Sequence, residues 1–157
     1  MNRKKTWTQR LHDGKTHEVK PAPISIAGMK AGQIMLVPTA RLVDDFIQGI
    51  PAGRSMNAKQ LRQALAAAHG AEVTCPITTG FHLRTVAESM WEALGNGTPV
   101  HRLTPVWRVL PADSATLKKL SFDIRFIQRQ CELEGLDQPL DAAQRKGLVR
   151  SGAAVPT

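Results

Sequence analysis

The sequence predicts a mainly α fold, arranged as a winged helix-turn-helix with a short β-hairpin wing. Three observations carry that expectation. A turn, Ile50-Pro51-Ala52-Gly53, leads into a helix running to Ala68. A further helix carries Arg84-Thr85-Val86-Ala87-Glu88-Ser89-Met90. A strand-like run, Thr104-Pro105-Val106-Trp107-Arg108-Val109-Leu110, follows it. Helix, turn, helix and then a strand pair is the order in which winged helices dock on DNA.

Length and charge bound the rest. A chain of 157 residues is one domain's worth, able to bury a core but not two. The formal net charge of +8, with a pI near 10.1, makes an anionic partner the default, nucleic acid or a membrane surface. No apolar run approaches the ~20 residues of a membrane span, and no apolar segment follows the basic start as in a secretory signal. Cys75 and Cys131 form no close pair, which suggests a reducing compartment without a disulfide framework. The expectation is a cytoplasmic, nucleoid-associated monomer without a membrane partner.

Three parts are expected: a basic arm and connector over 1–37, a winged-helix domain over 38–135, and a flexible tail over 136–157. In the arm, Arg3, Lys4, Lys5, Arg10, Lys15, Lys20 and Lys30 outnumber Asp13 and Glu18. It reads either as a strap along phosphates or as a solvated tail. Trp7 and Leu11, four apart, allow a short docked helix. Pro21-Ala22-Pro23 resists helix and reads as extended.

From Pro38 the pattern sharpens. Leu42, Val43, Phe46, Ile47 and Ile50 form one apolar stripe of an amphipathic helix, with Asp44, Asp45 and Gln48 off it. Pro51 and Gly53 end that helix. Asn57 is placed to cap a second, in which Leu61 and Leu65 point inward among alanines and Gly70 closes the run. After an irregular stretch, Thr78-Thr79-Gly80 opens a third helix with Leu83, Val86, Met90 and Leu94 inward. His82, Thr85, Glu88, Ser89 and Glu92 should face the other way. Gly95-Asn96-Gly97 stops it. Residues 100–110 read as extended, and Pro111 to Ser114 as a turn or wing tip. A last helix runs from Leu120 to Leu133, with Ile124, Ile127 and Cys131 inward and Gly135 at its end. The tail adds Arg145, Lys146 and Arg150.

Several of these segments together resemble the DNA-binding domain of the 6-O-alkylguanine-DNA alkyltransferases and their catalytically dead alkyltransferase-like relatives. That family's pattern is Ile-Pro-x-Gly, Lys-Gln-Leu, Arg-Ala-Val-Gly-x-Ala-Met, Pro-Cys-His-Arg-Val and a final Glu-Gly. This chain reads Ile50-Pro51-Ala52-Gly53, Lys59-Gln60-Leu61, Arg84 through Met90, Pro105-Val106-Trp107-Arg108-Val109 and Glu134-Gly135, in the same order across about residues 38–135.

The resemblance implies a site, and the departures decide what that site can do. In the enzymes a cysteine thiolate attacks the alkyl carbon after a histidine takes its proton, with a glutamate behind the histidine. Val106 stands at the nucleophile position and has no lone pair to attack with. Trp107 stands at the base position, and its indole nitrogen only donates. Glu134 remains. Alkyl transfer at this site is therefore excluded, and the expected function is non-enzymatic recognition of alkylated or damaged guanine by base flipping, flagging it for other repair proteins. No cofactor is expected.

The resemblance further assigns Arg84 to the gap left by an extruded nucleotide, where a guanidinium both stacks and donates. Lys59, Thr78, Thr79, Thr85 and Ser89 are the other expected contacts to double-stranded DNA. Val106, Trp107, Arg108 and Glu134 would bound a base pocket. Trp107 would either stack on the base or fill its space. Arg108 would tie its strand to polar neighbours. The family tyrosine preceding Lys-Gln-Leu is Ala58 here. Two other readings stay open: a winged-helix regulator with no lesion preference, and an enzyme using Cys75, next to a helix start that would favour a thiolate. The five histidines show no metal-ligand spacing with either cysteine.

Overall fold

The computed structural model describes residues 5–110 and 115–136. Arg3 and Lys4, the expected wing tip at 111–114, and the tail from residue 137 lie outside the described residues.

The fold is mainly α with one small sheet. The chain runs α1 (Trp7–Leu11), β1 (Glu18–Pro21), β2 (Ile34–Val37), α2 (Ala40–Gln48), α3 (Ala58–Ala68), β3 (Val73–Thr74), α4 (Pro76–Gly95), α5 (Ala115–Lys119) and α6 (Arg125–Glu134). Two 3-10 turns, Val100–Arg102 and Val106–Arg108, lie between α4 and α5. β1 pairs antiparallel with β2, Glu18 opposite Val37 and Pro21 opposite Ile34. β3 joins β2 in parallel, Met35 opposite Val73. The strands therefore come from the arm and from the segment before α4. Residues 5–37 are no separate strap, since Leu11 and Leu36 are buried in the same cluster as the helices.

Local chemistry accounts for the helix starts. The Thr39 hydroxyl accepts from the Leu42 N–H at 3.1 Å and opens α2. Asn57 and Gln60 cap each other's backbone at the head of α3, a reciprocal capping box. α4 begins at Pro76, whose missing N–H is no loss in a first turn. Gly135, at φ +71°, ends α6 in the left-handed region that favours glycine.

The apolar stripe of α2 is borne out at Val43, Ile47 and Ile50, all buried. Asp44, expected off the stripe, is buried as well. Its carboxylate accepts from the Thr104 hydroxyl at 2.6 Å and from the Gln48 amide at 2.7 Å. Burial raises its pKa, while those two hydrogen bonds pull it down.

Residues 100–110 are not extended. The apolar positions Leu103, Val106, Trp107 and Leu110 are spaced i, i+3, i+4 and i+7, a helical rather than an alternating period. All four are buried, as is Val109. Pro99 and Pro105 precede the two 3-10 turns, and the segment packs as core rather than as a wing strand.

α4 is the centre of the molecule. It packs against α1, α2, α3 and α5. Beyond Leu83, Val86 and Met90, it buries Thr79, Thr85, Ala87, Glu88 and Ser89. The sequence expectation that Thr85, Glu88 and Ser89 face outward is corrected: α1 and α5 cover the sides that the apolar stripe leaves polar. Glu88 accepts from the Ser121 hydroxyl at 2.5 Å and from its N–H at 3.1 Å.

α1 is fastened to this helix at its own N-terminus. The amides of Trp7 and Thr8 donate to Glu92 at 3.1 and 2.8 Å, and the Thr8 hydroxyl donates to the same carboxylate at 3.0 Å. A carboxylate set against unpaired helix-start amides is favoured by both hydrogen bonding and the helix dipole. Glu92→Ala should therefore cost about 1–3 kcal/mol. Hydrogen exchange would quicken through residues 6–12 and stay slow in 79–90. Unchanged protection over 6–12 would contradict this attachment.

Candidate functional site

Three segments far apart in sequence meet at the carboxylate of Glu134. Its Oε1 accepts from Arg108 Nε at 2.9 Å and from the Gly53 amide at 3.0 Å. Its Oε2 accepts from Arg108 Nη2 at 2.8 Å and from Trp107 Nε1 at 2.6 Å. The Arg108–Glu134 pair is thus bidentate, with both side chains only about 15% exposed. Arg108 reaches further, donating from Nη1 to the Ile50 carbonyl at 2.6 Å, while its own carbonyl accepts from the Met56 N–H at 2.8 Å.

Four donors on one carboxylate stabilise its charged form. The Arg108 hydrogen bonds hold the Glu134 pKa down at about 2, helped by the Gly53 amide and the Trp107 indole, against a smaller opposing effect of burial. The expected structural role of Arg108 fits this geometry. Val106 and Trp107 are buried. Trp107 meets Phe126 edge to face at 6.1 Å, and its carbonyl accepts from the Cys131 thiol at 3.4 Å. Its N–H is fixed on Glu134 and its ring lies among core side chains, so Trp107 is a buried, fully engaged residue.

An open cleft of about 610 Å³ lies beside this cluster, walled by Asp45, Phe46, Ile50, Pro51, Arg54 and Met56. Nothing in the apolar periodicity pointed to it. It forms because α2 ends at Gln48 and the chain turns outward through Pro51 before α3 begins.

The residues expected to touch DNA do not form one open surface. Lys59 is exposed in the first turn of α3. Thr78 is half-buried and donates to Cys75 Sγ at 3.1 Å. Thr79, Thr85 and Ser89 are buried with their hydroxyls turned to internal partners. Thr79 donates to the Cys75 carbonyl at 2.7 Å, and Thr85 to the Phe81 carbonyl at 3.2 Å. Ser89 shares a hydrogen bond with the Thr8 hydroxyl at 3.3 Å. Arg84 is half-buried under α1, its guanidinium 5.1 Å from the centre of the Trp7 ring, with Arg10 at 4.6 Å from the same ring. Its Nε is buried and makes no hydrogen bond. Cation–π stacking on Trp7 is what holds it there.

Cys75 lies half-buried in a separate small cluster with Ala22, Met29 and Met35, away from the core that contains Trp107. Among the described residues no group of three His, Cys, Asp or Glu could hold a metal ion, and no helix is long and apolar enough to cross a membrane.

Two features were missed by sequence reasoning. Phe81 and Ile77 are exposed on the first half of α4. Their signal was available, because both fall off the stripe of Leu83, Val86 and Met90. The other is Glu92, the anchor of α1, which reads as an ordinary solvated carboxylate.

No protein family model, curated protein or solved structure matches this chain.

Glu134→Gln keeps the shape of the side chain but removes the charge that three segments share. It should lower stability by about 3 kcal/mol at neutral pH. A group whose pKa is depressed by folding contributes stability that is present above its unfolded value and lost as pH falls through the folded value. The gap between the parent protein and Glu134→Gln should therefore stay constant above about pH 5 and close between about 4.5 and 2. Urea unfolding across that range checks it. A gap independent of pH would contradict the charged role of Glu134.

Proposed function

We propose that this protein binds duplex DNA and performs no alkyl transfer, on a scaffold of the alkyltransferase-like kind. The observation that carries the reading is the meeting of separate motif segments on one carboxylate. Ile50 and Gly53, Trp107 and Arg108, and Glu134 belong to separate segments that carry the sequence resemblance, and they converge around Glu134. The net charge of +8 supports an anionic partner of extended form. In the winged-helix reading α3 and α4 are the pair that docks, with exposed Lys59 at the head of α3. Such a protein would sit on the nucleoid.

The missing reaction follows from residue chemistry. Val106 carries no nucleophile, and the Trp107 indole can donate to Glu134 but cannot take a proton from a neighbour. Glu134, acidified by Arg108, is an anchor rather than a relay.

Because Trp107 is buried with its N–H on Glu134, the form we favour is DNA binding with no lesion preference. Recognition of an extruded guanine is a second reading, favoured by the cleft at Phe46 and Met56, which adjoins Ile50 and hence Arg108. Only in that form would the protein mark a lesion for other repair proteins.

Fluorescence anisotropy with a labelled duplex separates these forms. If three or four phosphates are neutralised, affinity should fall about 10²-fold between about 50 and 200 mM salt. Equal affinity for duplexes with and without 6-O-methylguanine is expected. A preference above about tenfold for the modified duplex would establish the second reading. No salt-dependent binding at all would overturn both.

A further inference from the structure

We propose that Phe81 is an apolar wedge that enters the base stack of the duplex from the minor groove, the role that the sequence resemblance had given to Arg84. The inference rests on the duplex-binding reading and adds to it the residue that deforms the DNA.

Phe81 is 73% exposed and Ile77, one helical turn before it, 57% exposed. They share a face of α4 by their i, i+4 spacing. A phenylalanine left in water on a regular helix forgoes the stabilisation that burial of its ring would bring. The backbone that carries the ring is held firmly in place. Thr79 and Leu83, two residues to either side, are buried, and α4 is a 20-residue helix gripped by its neighbours. A stiff platform with one protruding ring is what wedge insertion requires, because the ring must arrive in a fixed orientation and push a base step apart.

Charge around the ring selects the partner. Arg84 follows one turn later and shares the Trp7 ring with Arg10. Lys15, with a side chain 80% exposed, lies near the neighbouring His82 together with its ion-pair partner Asp13; burial, more than either charge, lowers the His82 pKa. Asp13 is the acid on this side, 3.9 Å from Lys15, and Glu92 is taken up by α1. An apolar tip on the same helix as Arg84, which shares the Trp7 ring with Arg10, fits a groove walled by phosphates. It fits a second copy of this chain poorly, since pairing two such faces would bring Arg84, Arg10 and Lys15 against their own kind.

Arg84 itself is stacked beneath α1, whereas Phe81 is free without any rearrangement. The wedge should favour flexible pyrimidine–purine steps, which unstack most readily.

The test uses the full chain and a duplex carrying 2-aminopurine at a central TA step. The parent protein should bind and raise 2-aminopurine emission several-fold. Phe81→Ala should weaken binding about tenfold and abolish that rise, while Phe81→Trp retains both. Because the ring is exposed, the melting temperature of Phe81→Ala should match the parent. Arg84→Ala should leave the emission rise intact. Parent-like affinity and emission in Phe81→Ala would overturn the wedge and leave duplex binding standing. Absence of parent binding would remove both readings together. If sedimentation showed a parent dimer dissociated by Phe81→Ala with DNA binding unchanged, the ring would belong to a self-interface and the proposal would fail.

Discussion

One carboxylate fixes the geometry of much of this molecule. Glu134 ends α6, and the donors it gathers come from the turn after α2 and from the 3-10 turn at 106–108. Without it, Arg108 would be a largely buried cation holding only the Ile50 carbonyl. Trp107 would carry an unsatisfied indole N–H in the core, and leaving such a donor unpaired costs more than the bond returns when made. The neighbours of Glu134 all donate, so its carboxylate stays anionic.

α4 is the second constraint. A helix meant to lie in a groove exposes one polar face, but this one is enclosed by α1, α2, α3 and α5 over most of its length. α1 is the decisive cover. Its first amides settle on Glu92, Leu11 joins the main core, and Trp7 takes Arg84 against its ring. The most open large side chains of α4 are Ile77 and Phe81 at its beginning, with Trp91 less exposed further along.

The helices were legible in the sequence where a single stripe decides burial. Val43 and Ile47, Leu61 and Leu65, and Ile127 and Cys131 are buried as their spacing predicted, and the capping residue Asn57 marks the start it was assigned. Legibility failed where burial comes from more than one side. Periodicity reports one core-facing stripe, so Glu88 and Ser89, covered by separate short elements, looked solvated. It also failed at 100–110, where the β-like composition of Val106, Trp107 and Val109 concealed a helical spacing. Glu134 and Arg108 came from resemblance rather than from pattern, since no local rule links residues 26 apart. The small sheet was missed because β1 lies in a stretch dominated by charge and proline, and β3 is only two residues long.

If the proposal holds, duplex DNA meets the opening half of α4 while the Glu134 cluster serves only as scaffold. Amide and methyl chemical-shift mapping during titration with an unmodified duplex addresses both halves of that claim at once. Perturbations should concentrate at Ile77, Phe81 and the Arg84–Trp7 stack, with Val106, Trp107 and Arg108 unmoved. Shifts centred on Trp107 and Glu134, or none anywhere, would contradict it.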